Sequence, residues 1–142
     1  MQLVTDLSIV VRNAGQDDAA ALARHQKLSQ QEATQYRGSA LATSKEVTQT
    51  LALVAGVGTT VMGSLVATAA ETTEWSIEFV FVEAASREIG IGDALVLACL
   101  RELQSNKATW LQSSALPGDR AMKNLFERHG LVAQTIIVGK KL

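Results

Sequence analysis

The chain has 142 residues, of which 47% are hydrophobic and 19% are charged, and its formal net charge is −1. This size and apolar content predict one folded domain over residues 1–142 and exclude a largely disordered chain, and the near-neutral charge gives no electrostatic reason to expect nucleic acid or an anionic membrane as a partner. A single cysteine excludes an internal disulfide, which fits a reducing compartment and predicts a cytoplasmic protein.

The N-terminal third of the chain predicts a strand, a helix and a polar connection. The run LSIVVRN at 7–13 is typical of a short strand. Asp17 and Asp18 then stand where the first turn of a helix favours acidic residues, and helix-forming residues continue to residue 31. The polar segment 32–47 predicts a short second helix followed by a loop.

An uncharged stretch from Val47 to Ala70 is long enough to be tested as a membrane-spanning helix. Its centre is the turn signal GVGTT at 56–60, and the β-branched residues and glycines on both sides favour strands over a helix. The stretch therefore predicts a hairpin of two buried strands, and EWSIEFVFV at 74–82 predicts a further strand after it.

The second half of the chain alternates helices with strands. Helices are predicted at 91–104 and 117–130, and strands at 108–116 and 131–139. With the first half, this order predicts an α/β (α+β) fold, in which a mixed, mostly antiparallel sheet of about six strands has helices on both faces.

Two glycines, Gly90 and Gly92, lie between the predicted strand at 74–82 and the helix that follows it. A helix N-terminus attracts phosphates, glycines let a phosphate approach the backbone, and Arg87 adds a positive charge. A phosphate-bearing ligand is one interpretation of this pattern, and a plain tight turn is the other. A dinucleotide fingerprint is excluded because position 95 is Leu, and a Walker A loop is excluded because it needs Gly-Lys-Ser/Thr.

The segment SIEFVFVEAASREIGIGDALVLACLREL resembles the acetyl-CoA-binding segment of the GNAT acyltransferase family. That segment runs as a strand ending in Val, a short turn, Arg or Gln, two residues, Gly, any residue, Gly and a long helix. Val82, Arg87, Gly90 and Gly92 fill these places at the same spacing. The resemblance implies a single GNAT-like domain with an acyl-CoA, expected to be acetyl-CoA, as its co-substrate.

A second segment, GDRAMKNLFERHGL, is similar to the other signature of the same family. In that signature a polar residue opens a helix, an aromatic residue follows, and a Gly-apolar pair ends the helix. Asp119, Phe126, Gly130 and Leu131 fill these places. Because the predicted order of strands and helices also fits the family, the resemblance extends over nearly the whole chain.

The resemblance implies a role for each part of the first segment. Main-chain groups of Val80, Phe81 and Val82 would pair with the pantetheine arm, and the strands beside the helix would splay to admit the thioester. An amide near Val80 would stabilise the oxyanion, and Glu78 would take a proton from the incoming amine, unless it is only an exposed strand carboxylate. The pyrophosphate would be wrapped by the amides of Glu88, Ile89, Gly90, Ile91, Gly92 and Asp93.

The sequence also departs from the family. Phe126 replaces the usual Tyr that protonates the leaving thiolate, so water or Tyr36 must donate, or the thiolate, with a pKa of about 8.5, leaves unassisted. Asp119 stands where Asn is common, and Glu88 where Gly or a basic residue is common. After the last helix there is room for one strand in place of two, and since an open edge invites pairing, we expect a homodimer with residues 135–138 at or near its interface.

Three hypotheses about function follow. The first is an N-acyltransferase in which an amine, on a small molecule or on a protein lysine or N-terminus, attacks the thioester directly in a ternary complex. The second is a GNAT-fold module for regulation or assembly, which Glu88 and Phe126 favour. The third is an α/β binding domain whose glycines only form a turn. The acceptor, which the family selects with the region that corresponds to 32–45, has no chemical signature here.

The remaining reactive side chains are assigned structural roles. Cys99 lies on the apolar helix with no histidine near it in sequence, so we expect a core thiol and not a nucleophile. His25 and His129 fit no metal-ligand spacing, so no metal is expected, and the two histidines are predicted at the surface or at helix caps.

Overall fold

A computed structural model of the protein describes residues 8–39, 46–71 and 73–142. Its strands are β1 (Ile9–Asn13), β2 (Gln49–Val57), β3 (Thr60–Ala69), β4 (Glu74–Val82) and β5 (Trp110–Gln112). Its helices are α1 (Ala19–Ala33), α2 (Ile91–Ser105) and α3 (Arg120–Arg128), and single 3₁₀ turns lie at Gln16–Asp18 and Ala84–Ser86. None of the helices in these ranges has the length and apolar character needed to cross a membrane.

The five strands form one sheet in the order β1-β2-β3-β4-β5. All neighbours are antiparallel except β4 and β5, which run parallel. Leu65 belongs to the same core cluster as Ile91 and Leu95 of α2, whereas the adjacent Ser64 contacts His25 of α1. Because adjacent strand residues face opposite sides, α2 and α1 cover opposite faces of the sheet. The prediction of a mixed fold with helices on both faces is confirmed.

The uncharged stretch forms the β2–β3 hairpin, as its turn signal predicted. A Cβ on Gly56 would lie 1.7 Å from the carbonyl oxygen of Thr60, and Gly58 adopts a φ of +63° in the turn itself. The first position has no space for a side chain, and the second has a conformation that favours glycine. These two glycines therefore explain why so apolar a stretch folds back on itself.

Strand β4 carries a bulge at Glu78. Phe79 pairs with Val66 and Ile77 pairs with Ala67, so Glu78 has no residue directly opposite it on β3 in the strand register. A bulge of this kind inserts one residue into the strand and changes the direction of the side chains beyond it. The residue predicted to act as a base therefore lies at the irregular point of the strand.

The bulge changes which residues of β4 face α2. Trp75 and Ile77 lie in the core under α2 before the bulge, and Val80 lies there after it. Phe81 consequently faces α1, where its ring centroid lies 5.1 Å from that of His25. The shift in register at the bulge thus decides which side chains at the end of β4 lie on each face of the sheet.

One predicted element is wrong, and a second is not found among the described residues. Residues 131–139 form no strand, so the described residues contain five strands, and Ile136 and Val138 are each 88% exposed. An apolar β-type sequence states a propensity, but a strand also needs a hydrogen-bonding edge, and this segment lies on no described strand. The short second helix predicted within 32–47 is not found at residues 34–39, which form turns and bends, and residues 40–45 of that segment lie outside the described residues.

Cys99 lies in the core, as predicted, and has no exposed surface. Burial raises the pKa of its thiol to about 12, because desolvation disfavours the thiolate. A thiol in this state is a poor nucleophile, so Cys99 serves packing and takes no part in the chemistry of the site.

Candidate active site

A gap opens between β4 and β5 because the two strands pair over only three residues. The pairing runs from Glu74 with Trp110 to Ser76 with Gln112, and β4 then continues as far as Val82 without β5 beside it. The structure thus confirms the splaying that the resemblance implied at this point of the sheet.

Main-chain groups of Val80 and Val82 line the gap. The amide of Glu83 donates a hydrogen bond of 2.7 Å to the carbonyl oxygen of Met62 on β3. Alternate residues of an antiparallel strand direct both N–H and C=O to the same neighbour, so Phe81 also faces β3, while Val80 and Val82 face away from it. Two of the three residues predicted to pair with pantetheine therefore offer main-chain groups to the gap. The main-chain groups of Phe81 face β3 and its side chain faces α1, so the prediction is wrong for this residue.

The connection from β4 to α2 leaves its amides free. None of the N–H groups from Glu88 to Asp93 donates a hydrogen bond to another described residue. They lead directly into the N-terminus of α2, where helix geometry leaves further donors unpaired and the dipole is positive. This row of donors is compatible with a pyrophosphate, and the binding of one there remains a prediction.

The two glycines of this connection have structural roles that the sequence did not show. Gly90 is the N-cap of α2 and has a φ of +92°, in the left-handed region that favours glycine. A Cβ on Gly92 would lie 3.4 Å from Cδ2 of Leu125, so its missing side chain lets α3 pack closely on α2. Backbone conformation and helix packing thus add to the predicted reason, which was the close approach of a phosphate.

Glu88 also has a left-handed backbone, with a φ of 72°. A residue with a Cβ is strained in this region by about 1–2 kcal/mol, whereas glycine is not. The departure from the family's usual residue therefore introduces backbone strain as well as a negative charge into the connection.

The Arg87 side chain does not point to the free amides but lies back over β4. Its Nε–H donates a hydrogen bond of 2.9 Å to the carbonyl oxygen of Val82, and its Nη2 forms an ion pair with Glu32 on α1. The guanidinium carbon lies 5.5 Å from the centre of the Phe81 ring. Arg87 is thus near the predicted ligand site, but its charge is engaged by another residue of the protein.

A buried chain of hydrogen bonds connects α1 to β3 and to the end of β4. His25, which has no exposed surface, lies 2.7 Å from the Ser64 hydroxyl through Nδ1 and 3.0 Å from Glu83 Oε1 through Nε2. Burial raises the pKa of Glu83, but hydrogen bonds from His25 and Arg24 outweigh this and hold the pKa below its ordinary value. The ionised Glu83 accepts from His25 Nε2–H, so in the neutral imidazole Nδ1 accepts from the Ser64 hydroxyl.

The prediction that His25 lies at the surface or at a cap is therefore wrong, and the importance of Glu83 was missed. The order serine, histidine, carboxylate is that of a nucleophilic triad, but Ser64 has no exposed surface and cannot meet a substrate. Glu83 directly follows the Val of the family segment, but its partners are about 58 residues away in sequence, so no local pattern could have revealed the contact.

Comparison with known proteins gives the family. The model described as the acetyltransferase (GNAT) family matches residues 18–131. The chain belongs to the GNAT acetyltransferase family. It is therefore an N-acetyltransferase by class, and the hypothesis that its glycines form only a turn is no longer needed. The search of curated proteins found no match.

Solved structures with the same fold are numerous and distant in sequence. An aminoglycoside acetyltransferase from an uncultured soil metagenomic sample, in complex with trehalose, has a TM-score of 0.70 at 11% identity, over 99% of this chain and 98% of its own. AAC(6')-Iy, in complex with the bisubstrate analogue CoA-S-monomethyl-acetylneamine, has a TM-score of 0.69 at 12% identity, over 94% of this chain and 98% of its own. A ribosomal-protein-alanine N-acetyltransferase from Brucella melitensis biovar Abortus 2308 has a TM-score of 0.67 at 15% identity, over 95% of this chain and 100% of its own.

The GNAT base position, Glu78, is exposed on β4 and accepts a hydrogen bond of 2.5 Å from the hydroxyl of Thr68. Its carboxylate is open to solvent and retains acceptor capacity beyond this contact. The geometry is compatible with both interpretations, a base and an exposed strand carboxylate, so the catalytic role stays a prediction.

The second GNAT segment positions α3 against α2. Asp119 is the N-cap of α3 and accepts from the amide of Met122 at 3.2 Å, while Phe126 is 6% exposed in the core. Arg128 and His129 at the other end of α3 contact the Asp93 carboxylate, and the hydrogen bond from Arg128 contributes most to lowering its pKa. Asp119 and Phe126 thus have clear structural roles, and a contact of either with CoA remains a prediction.

Proposed function

We propose that the protein transfers an acetyl group from acetyl-CoA to an amine by direct attack in a ternary complex. The observation that supports this most strongly is the continuity of the gap along β4 with the free amides from Glu88 to Asp93. The main-chain groups of Val80 and Val82 would hold the pantetheine arm, and the amides would hold the pyrophosphate.

The reaction then forms one bond and breaks one. The amine nitrogen attacks the thioester carbon and the C–N bond forms, and the C–S bond then breaks as the carbonyl re-forms and the thiolate of CoA leaves. The amide of Val80 would stabilise the oxyanion, and Glu78, exposed on β4, would accept the proton that the amine loses. We expect Glu78→Gln to lower turnover by about 10²–10⁴ with little change in acetyl-CoA affinity, measured once an acceptor is known. Unchanged turnover would assign the proton to water.

The leaving thiolate has no proton donor at the position of Phe126. Tyr36 is the side chain considered as an alternative donor, and its Cδ1 lies 3.7 Å from the point where a Cβ on Gly118, just before α3, would be. Departure without a donor is also chemically reasonable, since a thiol has a pKa of about 8.5. Tyr36→Phe separates these routes, because only the first predicts a loss of turnover.

The first test needs no acceptor. Acetyl-CoA at 100 times its dissociation constant should stabilise the fold by about 2.7 kcal/mol, measured as a rise in the melting temperature. No stabilisation at millimolar acetyl-CoA would overturn the proposal. It would favour the alternative, a GNAT-fold module for regulation or assembly, which the strained, charged Glu88 and the engaged Arg87 keep open.

The acceptor is an amine on a small molecule or on a protein. Of the related structures named above, one is an aminoglycoside acetyltransferase and another is a ribosomal-protein-alanine N-acetyltransferase, and at 11–15% identity they transfer only the fold. Release of free CoA, followed with a thiol reagent, would rank aminoglycosides, polyamines and peptide N-termini. A location in the cytoplasm remains a prediction.

We also infer a homodimer in which a second copy covers the C-terminal segment. Val132, Ile136, Ile137 and Val138 are between 61% and 88% exposed, on a β-type sequence that pairs with no described strand. Light scattering should give the mass of a dimer, and Ile136→Lys should give a monomer, while Leu97→Lys on the exposed side of α2 should not. A monomer mass for the wild-type protein at high concentration would contradict the inference.

A further inference from the structure

The Arg87 side chain is hydrogen-bonded to a main-chain acceptor that the proposed ligand would also use. Its Nε–H donates to the Val82 carbonyl at 2.9 Å, and this carbonyl faces the gap, where an amide of the pantetheine arm would otherwise donate. Acetyl-CoA bound as proposed and Arg87 placed as observed therefore compete for one acceptor, so Arg87 has to move when the ligand enters.

Glu32 holds Arg87 in this position. The two side chains form an ion pair from α1 to the connection before α2, and each is 43% exposed. A half-exposed pair of this kind is weak, because water and salt screen it and two long side chains must be ordered. A pyrophosphate offers the same guanidinium more negative charge and more acceptor oxygens, so it can displace a single carboxylate.

The second polar contact between α1 and this connection differs in kind. His25 and Arg24 bind Glu83 at its start, and the His25 side chain is only 1% exposed. The hydrogen bond between His25 and Glu83 is largely buried and does not involve the gap, so it can persist when a ligand binds. α1 thus contacts the connection at Glu83 and at Arg87. The contact at Glu83 can remain when a ligand binds, whereas Arg87 can exchange Glu32 for the ligand.

We propose that Glu32 is a latch on the CoA site: Glu32 and the pyrophosphate of acetyl-CoA compete for Arg87, and ligand binding releases Glu32 from the connection. This inference rests on the proposed function. Glu32 lies on α1, outside the connection that forms the site, and in this proposal it lowers the affinity of that site for acetyl-CoA. It also makes the observed position of Arg87 that of the ligand-free protein.

A double-mutant cycle tests the latch. Acetyl-CoA affinity is measured by calorimetry for the wild type, Glu32→Gln, Arg87→Gln and the double variant. Breaking a half-exposed ion pair should tighten binding by about two- to fivefold in Glu32→Gln. The same change should have no effect when Arg87 is already Gln, because no partner is left to release. Glu102→Gln, an exposed carboxylate on α2, controls for the general loss of negative charge.

Each other outcome overturns the latch. Equal tightening with and without Arg87 would mean that Glu32 acts only by long-range repulsion of the ligand. Weaker binding in Glu32→Gln would mean that Glu32 orients Arg87 for the phosphate. Binding by none of the four proteins, although all melt as folded domains, would overturn the proposed function itself, and binding by the wild type with an additive cycle would overturn the latch alone.

Discussion

At the scale of single residues, the connection before α2 combines features that favour an anion with one that opposes it. The free amides from Glu88 to Asp93 and the N-terminus of α2 are favourable, whereas the Glu88 side chain is negative and its backbone has a φ of 72°. The charge and the strain are separate physical effects, so different substitutions at one position distinguish them.

We expect Glu88→Gln to tighten acetyl-CoA binding by a few-fold, and more at low ionic strength. A charge about 6 Å from the pyrophosphate costs roughly 0.7–2.8 kcal/mol per unit charge for an effective dielectric of about 80 to 20, and exposure favours the low end. Glu88→Gly should do the same and also raise the free energy of unfolding by about 0.5–1 kcal/mol, because glycine relieves the strain. Weaker binding by Glu88→Gln would show that the carboxylate makes a needed contact.

His25 is the residue whose loss should cost most stability among the polar side chains of α1. His25→Ala leaves the Ser64 hydroxyl and the Glu83 carboxylate without this partner and opens a cavity, which should lower the free energy of unfolding by about 2–4 kcal/mol in urea. Ser64→Ala should cost less, and the two losses should not add, because both remove the same hydrogen bond. Additive losses would mean that the chain of hydrogen bonds is not a unit.

Asp18 gives stability a dependence on acid pH. The hydrogen bond from Arg12, with that from the Gly15 amide, lowers the pKa of Asp18 from 3.8 to about 2. Because the pKa is lower in the folded state, the contribution is complete above pH 3.8 and is lost as the pH falls towards 2. In urea unfolding, Asp18→Asn should be less stable than the wild type at pH 6, and the difference should shrink at low pH. A constant difference would contradict the assignment.

At the scale of elements, the sequence predicted those helices and strands whose pattern is local. The β2–β3 hairpin and α2 follow from turn glycines and apolar periodicity, and they were found where expected. The segment 131–139 was not, because the sequence cannot state whether an edge is available to it. The contact of His25 with Glu83 and that of Arg87 with Glu32 likewise depend on how α1 crosses the sheet, which no spacing along the chain reveals.

The packing of α3 on α2 makes Gly92 sensitive to side-chain size. A Cβ would meet Leu125 at 3.4 Å, which is close to ordinary contact, and alanine favours a helix over glycine by about 1 kcal/mol. We therefore expect Gly92→Ala to unfold at the same or a higher urea concentration. Gly92→Leu should separate α3 from α2 and cost about 1–3 kcal/mol. Equal stability of both variants would show that α3 adapts freely.

At the scale of the whole molecule, the two faces of the sheet serve different parts of the proposed reaction. The face under α2 carries the apolar core. Between the other face and α1 lie the polar contacts of His25 with Ser64 and Glu83, and that of Glu32 with Arg87. The apolar core and the proposed ligand control thus lie on opposite faces of the sheet. A change in the exposed pair of Glu32 with Arg87 can alter the site without disturbing the core.

The bulge at Glu78 makes one point of β4 tolerant to the loss of a residue. Because Glu78 has no partner in the pairing of β4 with β3, its deletion would remove the bulge and leave Phe79 opposite Val66. Val80 would then still face α2, and Phe81 would still face α1. One added residue beside Glu78 would instead exchange the two faces for the rest of β4, or would need a second unpaired residue. We therefore expect the loss of one codon at the bulge to lower the melting temperature less than the gain of one codon there.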